Sequence, residues 1–410
     1  MTSPTLDLAQ VRSHFPGLAR SWTLFDNAGG SQILKGAVAR MTEFLIERNV
    51  QIGGSYDISL AAADALRQGR EAAATVMNAS RPEEIVFGPS TTVLLQNLAR
   101  AMRSQLAKGD EIIVTISDHE SNIGPWMSLQ EFGIVIKVWP LNKDTQNLEL
   151  SDLAPLMNDR TRLVAVTHVS NILGQMNPIA EFARFVHEHG ARICVDAVAY
   201  APHRAIDVQA WDVDYYVFSL YKTYGPHYAV MYGKYDLLLE LDTLYHYFYG
   251  KDKVPGKLEP GNPSYECAYS VVAIRDYFAG LGQSGTARER LEQGFGAITV
   301  QEDALVGRLL SYLTQRNDCI VFGETRNDGS RRIPTVAFRF DGRDSAAVCK
   351  AMDSHKIAIR HGDFHARRLV EATGEMRDGG LLRVSMVHYN TLDEVDHLCT
   401  AFDEILRKVG

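Results

Sequence analysis

The sequence predicts an α/β protein, with a mostly parallel sheet in a large domain and a smaller α+β domain after it. Three observations carry this expectation. From about residue 60 to 250, short apolar runs of strand length alternate with segments of helix length, the pattern of a parallel sheet covered on both faces. A polar stretch at 251–263 then holds Pro255, Pro260 and Pro263 and reads as a boundary loop. At 410 residues, the chain also exceeds the length at which one hydrophobic core stops growing.

In chain order, residues 60–79 are Ala-rich and form a helix, and 84–87 form a short strand. Residues 92–106 carry apolar side chains at helical spacing, and 111–116 is again a strand. Strands follow at 133–139 and 162–167, then a helix at 179–189 closed by Gly190. Strands at 192–195, 215–219 and 228–232 come next. Beyond the boundary loop lie a helix at 270–281, a second helix, a strand at 335–340 and a third helix. Strands at 357–360 and 382–387 and a closing helix complete the chain.

Apolar residues make up 46% and charged residues 22%, as in ordinary globular proteins. The formal net charge is −8 and no basic stripe interleaves with aromatics. Neither nucleic acid nor an anionic membrane surface is therefore an expected partner. No apolar run is long enough to span a bilayer, and residues 1–18 lack the apolar core of a secretion signal. Cys194, Cys267, Cys319, Cys349 and Cys399 include no C-x-x-C pair. They read as reduced thiols of a cytoplasmic protein, with Cys194 in the core.

Ligands of open parallel sheets bind outside the carboxyl ends of strands, and the candidate residues fall there. Ile193-Cys194-Val195-Asp196 ends one strand on a carboxylate, and Lys222 follows the strand at 215–219. A strand-end Asp followed by a strand-end Lys is the pair that pyridoxal phosphate (PLP) needs. The amine forms an imine with the aldehyde, and the carboxylate keeps the pyridine nitrogen protonated so that the ring accepts electrons. Phe87-Gly88-Pro89-Ser90-Thr91-Thr92 reads either as a phosphate cradle at a helix start or as an ordinary helix cap. His119 ends a strand where its flat ring is placed to stack on a planar cofactor, or is a satisfied side chain. Asn171 is placed to bond the phenolic oxygen or the substrate, or forms a turn.

The runs Thr-His-Val-Ser-Asn-Ile-Leu-Gly (167–174), Val-Asp-Ala (195–197) and Tyr-Val-Phe-Ser-Leu-Tyr-Lys-Thr-Tyr-Gly-Pro (216–226) resemble the class V aminotransferase family. So does Arg-Val-Ser-Met-Val-His-Tyr-Asn-Thr-Leu-Asp-Glu-Val-Asp (383–396). Within the family, these runs and those at 24–30 and 118–126 are most similar to the cysteine desulfurase and selenocysteine lyase branch. The likeness extends in order from about residue 10 to 405. It implies the PLP-dependent transferase fold of type I, with a mostly parallel sheet of the seven-stranded type. The large domain is then expected at 20–265, and the smaller one at 1–19 with 266–410.

The resemblance implies Lys222 as the imine lysine, Asp196 as the partner of the pyridine nitrogen and His119 as the stacking, catalytic ring. Thr91, Thr92 and Ser219 would bind the phosphate, and Asn262, in Gly261-Asn262-Pro263, would reach the phosphate of the neighbouring subunit of a homodimer. Asn171 is implied in both cofactor and substrate binding, and Asn27 in substrate binding. Arg383 matches the arginine that clamps the substrate carboxylate, a task its planar fork suits. A small amino-acid substrate is expected.

Three positions depart from the desulfurase pattern. His365 stands where those enzymes carry the nucleophilic cysteine, and a persulfide requires a thiolate. His365 is then either an acid or base for the leaving group or a solvent-facing loop residue. Tyr221 replaces a His, and Ala199 replaces a Gln that bonds the phenolic oxygen. The expected function is a PLP-dependent lyase acting at Cβ of a small amino acid without the usual persulfide. An epimerase or racemase and an aminotransferase are alternatives, and a non-catalytic protein of this fold is a remote one. Ser219-x-x-Lys222 also matches a serine-enzyme motif, but the lysine is followed by Gly225-Pro226 and a strand. His361 with His365, and His187 with His189, lack a third ligand at useful spacing, so no metal is expected.

Overall fold

A seven-stranded sheet runs through the middle of the computed structural model, which describes residues 5–143 and 145–408. Residues 1–4, part of the segment expected with the smaller domain, lie outside the described residues, as do 144 and 409–410. In chain order the strands are β1 (Ile85–Gly88), β2 (Glu111–Thr115), β3 (Val135–Trp139) and β4 (Thr161–Thr167). β5 (Arg192–Asp196), β6 (Tyr215–Ser219) and β7 (Ala229–Gly233) follow. Across the sheet the order is β1-β7-β6-β5-β4-β2-β3. Neighbours from β6 through β3 pair in parallel, and β7 is antiparallel to both β6 and β1. The mostly parallel α/β sheet expected from the sequence is present.

Side chains of one strand alternate between two cores, because successive Cβ atoms of a strand point to opposite faces. Val114, Cys194, Val217 and Met231 pack with Leu94, Leu98 and Trp126 on one face. Ile113, Val195, Phe218 and Val230 pack on the other with Ala65, Ala72 and Phe278. Fully burying one such Val, Leu or Phe side chain contributes about 1.5–3 kcal/mol. On the second face the helix Asp57–Met77 lies against the helix Tyr265–Gly280. Gly69 permits the close approach: a Cβ there would sit 2.3 Å from the Ala268 carbonyl oxygen.

Four further strands, β8 (Cys319–Phe322), β9 (Thr335–Phe340), β10 (Arg360–Gly362) and β11 (Leu381–Ser385), form an antiparallel sheet in the order β10-β11-β9-β8. The helices Ala287–Thr314 and Leu392–Lys408 belong to this part of the chain. Their apolar residues Leu309, Leu313, Leu398 and Phe402 bury against Phe338 and Leu382. Val11, Phe15 and the helix Tyr265–Gly280, expected with the smaller domain, share a core cluster with the large sheet.

Three expected elements differ. The strand at 357–360 is two strands: Ile357–Ala358 pairs in parallel with Thr23–Leu24, and β10 joins β11. The apolar period runs on through Ile359, so the sequence carries no mark of the change of partner. The helix at 92–106 is Thr91–Met102 followed by a 3-10 turn, the common tightening of a last turn. The helix at 270–281 begins at Tyr265, where Ser264 Oγ caps it by accepting the Cys267 N–H.

Candidate active site

At the carboxyl ends of β4, β5 and β6 lies a cavity. Thr91, Thr92, His119, Asn171, Asp196, Ser219 and Lys222 all line it, although they come from separate strand ends. Ser90 accepts the Val93 N–H and opens the helix Thr91–Met102 toward the cavity. Thr91 and Ser219 are buried, with their hydroxyls 2.7 Å apart. Free N–H groups, the helix dipole and two hydroxyls make this end suited to an anion.

Asp196 is buried at the end of β5, and burial pushes its carboxyl up to about 6. The Val198 N–H, at 2.9 Å, and the Lys222 and Ser121 side chains work against that rise. Lys222 lies in a single 3-10 turn, Leu220–Lys222, directly after β6. Loss of solvent and the Arg383 charge lower its amine to about 8, against the pull of Asp196 and Asp26. A lysine in this range carries a useful fraction of neutral, nucleophilic amine near neutral pH. His119 is held down to about 3, first by burial and then by Lys222, His365 and Arg383. It is therefore a neutral ring.

Arg383, on β11, is buried beside this group. One NH2 donates to Asp26 Oδ1 at 2.9 Å, the other terminal nitrogen to the Asn171 carbonyl at 3.2 Å, and the guanidinium stacks 4.2 Å from the Phe364 ring centre. Arg360 pairs with the other oxygen of Asp26 at 2.9 Å. Among the described residues, Arg383 Nε and Asn171 Oδ1 have no hydrogen-bond partner.

His365 is exposed and does not line this cavity, but its ring lies 5.4 Å from that of His119, which does. Phe364 and His365 both take left-handed backbone angles, φ 52° and 58°, which cost about 1–3 kcal/mol each in non-glycine residues. The surroundings fix them: Asn171 Nδ2 donates to the Phe364 carbonyl at 2.9 Å and the Glu120 N–H to the His365 carbonyl at 2.8 Å. The Arg368–Glu120 pair, at 3.1 Å, ties the same two segments.

Asn27, Asn262, Arg383 and His365 do not line the cavity. Asn27 is buried: its Nδ2 faces the Leu24 and Ser385 carbonyls at 3.0 and 2.9 Å, and its Oδ1 accepts the Tyr389 hydroxyl. These bonds tie it to the C-terminal run 385–390. Asn262 is exposed, with φ 69°, and does not line the cavity of its own chain. Sequence reasoning missed Asp26, Arg360 and Ser121. Ser121 is buried in the cavity wall with its Oγ 2.8 Å from His119 Nδ1. The described residues contain no cluster of three or more metal-ligating side chains.

These residues fit PLP. The raised Asp196 carboxyl lacks the cationic partner a pyridine N–H would supply, the Thr91–Ser219 end suits a phosphate, and Asn171 Oδ1 and Arg383 Nε await polar partners. The sequence model described as Aminotransferase class-V matches residues 23–398. The chain belongs to the class V aminotransferase family. It is 41% identical to the aminotransferase-like protein FGM3 of Gibberella zeae, over 99% of this chain and 100% of that protein. It is 32% identical to a cysteine desulfurase of Cronobacter sakazakii, over 99% of this chain and 100% of that enzyme. The crystal structure of the cysteine desulfurase CsdA from Escherichia coli superposes with a TM-score of 0.86 at 26% identity, covering 99% of this chain and 100% of that one.

This class V protein is a PLP-dependent enzyme of the cysteine desulfurase-like kind, with the type I fold. Bound PLP supplies an electron sink that lets a bond at the substrate Cα or Cβ break heterolytically. Tyr221 and Ala199, at the two other departures, both line the cavity. The Tyr221 ring stacks on His227 with centroids 4.7 Å apart and 8° between planes. Among the described residues, no helix is long and apolar enough to cross a membrane.

Proposed function

We propose that this class V enzyme is a lyase that breaks a bond at Cβ of a small amino acid, without a persulfide intermediate. The observation that carries the reading is the position of His365, an imidazole 5.4 Å from His119 on a backbone segment tied to Asn171 and Glu120. In this reading Lys222 holds the cofactor and moves the Cα proton, while His365 gives a proton to the group leaving Cβ. Asp196 holds the pyridine nitrogen, Thr91, Thr92 and Ser219 the phosphate, and His119 covers the ring. Asn171 joins cofactor and substrate. The test offers L-cysteine, cysteine sulfinate and L-selenocysteine to the PLP-loaded enzyme. Release of the protonated Cβ substituent with pyruvate and ammonia as the other products is the expected result. Exchange of the Cα hydrogen with solvent, or transfer of the amino group, without Cβ cleavage would make it an epimerase or aminotransferase instead.

Arg383 clamps the substrate carboxylate in this reading, exchanging its Asp26 contact for the substrate and using the free Nε as the second arm of the fork. Arg383→Ala is expected to lower kcat/KM by about 10²-fold or more, since removing one partner of a buried charge pair costs about 2–5 kcal/mol. The absorbance of the bound cofactor should stay, and the amino-acid concentration needed to shift it should rise. An unchanged titration would remove the clamp.

We further propose a homodimer in which Asn262 completes the phosphate site of its partner. Its exposure and its distance from its own cavity support this. Asn262→Ala should weaken PLP binding by about tenfold or more, the weight of one hydrogen bond to a charged group. Equal PLP affinity in the variant, or in a monomeric wild-type protein, would count against the shared site.

A further inference from the structure

His119 has a ring nitrogen on each side, and the structure says which of them carries the proton. The Ser121 N–H donates to Nδ1 at 3.1 Å, and Ser121 Oγ lies 2.8 Å from the same atom. A nitrogen that accepts a backbone N–H offers its lone pair there and bears no hydrogen. The ring is neutral, so its single hydrogen belongs on Nε2, the nitrogen left for the cavity that His119 lines. The Ser121 hydroxyl must then donate to Nδ1, because two lone pairs 2.8 Å apart would repel.

The charged or titratable side chains that act on His119 are Lys222, His365 and Arg383. We infer that Ser121 is a positioning residue that fixes the Nε2–H form of His119, so that this ring meets the substrate as a hydrogen-bond donor and not as a base. The inference rests on the reading of His119 as the ring that covers the cofactor. It divides the work between the two histidines: a neutral imidazole donates a hydrogen bond to developing negative charge, and His365 is left to move the proton.

The test is nitrogen NMR on protein carrying ¹⁵N-labelled histidine, at pH 8, with and without PLP, with His119→Gln to assign the signal. Wild-type His119 should show an unprotonated Nδ1 and a protonated Nε2 in both states. Ser121→Ala keeps the backbone donor and loses the hydroxyl. It should give a mixture of the two forms and about a tenfold fall in kcat with little change in KM, the weight of one neutral hydrogen bond. Ser121→Thr should restore both. A protonated Nδ1 in the wild type, or a Ser121→Ala spectrum identical to it, overturns the inference. These signals are read without PLP as well. A protein that shows the Nε2–H form but gains no cofactor absorbance would therefore defeat only the site reading.

Discussion

Lys222→Ala is expected to remove the long-wavelength absorbance of the PLP-loaded protein and to lower turnover by on the order of 10⁴-fold or more. The size follows from the two tasks proposed for the amine, holding the cofactor and moving the Cα proton. A second consequence is specific to this lysine. Loss of solvent and the Arg383 charge lower its amine from 10.5 to about 8, and only the neutral amine attacks an aldehyde. The rate at which PLP-free protein gains absorbance should therefore climb with pH and level off near 8. A rate still climbing tenfold per pH unit at 10 would rule out the desolvated amine. Stability gives an independent check. A base with a lower folded than unfolded pKa binds fewer protons when folded, so PLP-free wild type should gain stability relative to Lys222→Ala between about 8 and 10.5. Below that window the charged, poorly solvated lysine costs the wild type stability that the alanine variant does not lose.

The residues that proved easiest to read are those tied to strand ends. Asp196, Asn171 and Ser219 each sit where an apolar run stops, and that stop is a local signal carried by a few neighbours. The parallel sheet was legible for the same reason, because strands buried on both faces are apolar at nearly every position. The surroundings of Asn27 were not legible, because its partners Tyr389 and Asn390 arrive from the far end of the chain. Asp26 and Arg360 were missed for the same reason: their pairing with and beside Arg383 exists only once Thr23–Leu24 has paired with Ile357–Ala358. Ser121 reads in sequence as one small polar residue among several. Its meaning comes from the turn after β2, which brings its N–H and hydroxyl back onto His119 Nδ1. Local pattern therefore located the cavity, while the ion pairs and shared protons that tune it are products of tertiary approach.

The decisive substitution for the reaction is at His365. His365→Ala is expected to lower the rate of Cβ cleavage by about 10²–10⁴-fold, the usual weight of a general acid. Cofactor absorbance and exchange of the Cα hydrogen should persist, since Lys222 and Asp196 are untouched. That split separates a proton donor from a residue that merely supports the loop, whose loss would disturb all three. His365→Cys probes the same position from the other side. Its backbone is already held at φ 58° by the Glu120 N–H on its own carbonyl and the Asn171 amide on the carbonyl of Phe364, and the reaction requires its thiolate form. With L-cysteine, the new thiolate attacks the substrate sulfur, the Cβ–S bond breaks, and the sulfur stays on the protein. Labelled sulfur retained by this variant, released by a reductant and absent from wild type, is the expected result. If His365→Ala instead cleaves at the wild-type rate, His365 is a solvent-facing loop residue, and the leaving group takes its proton from water at the cavity mouth.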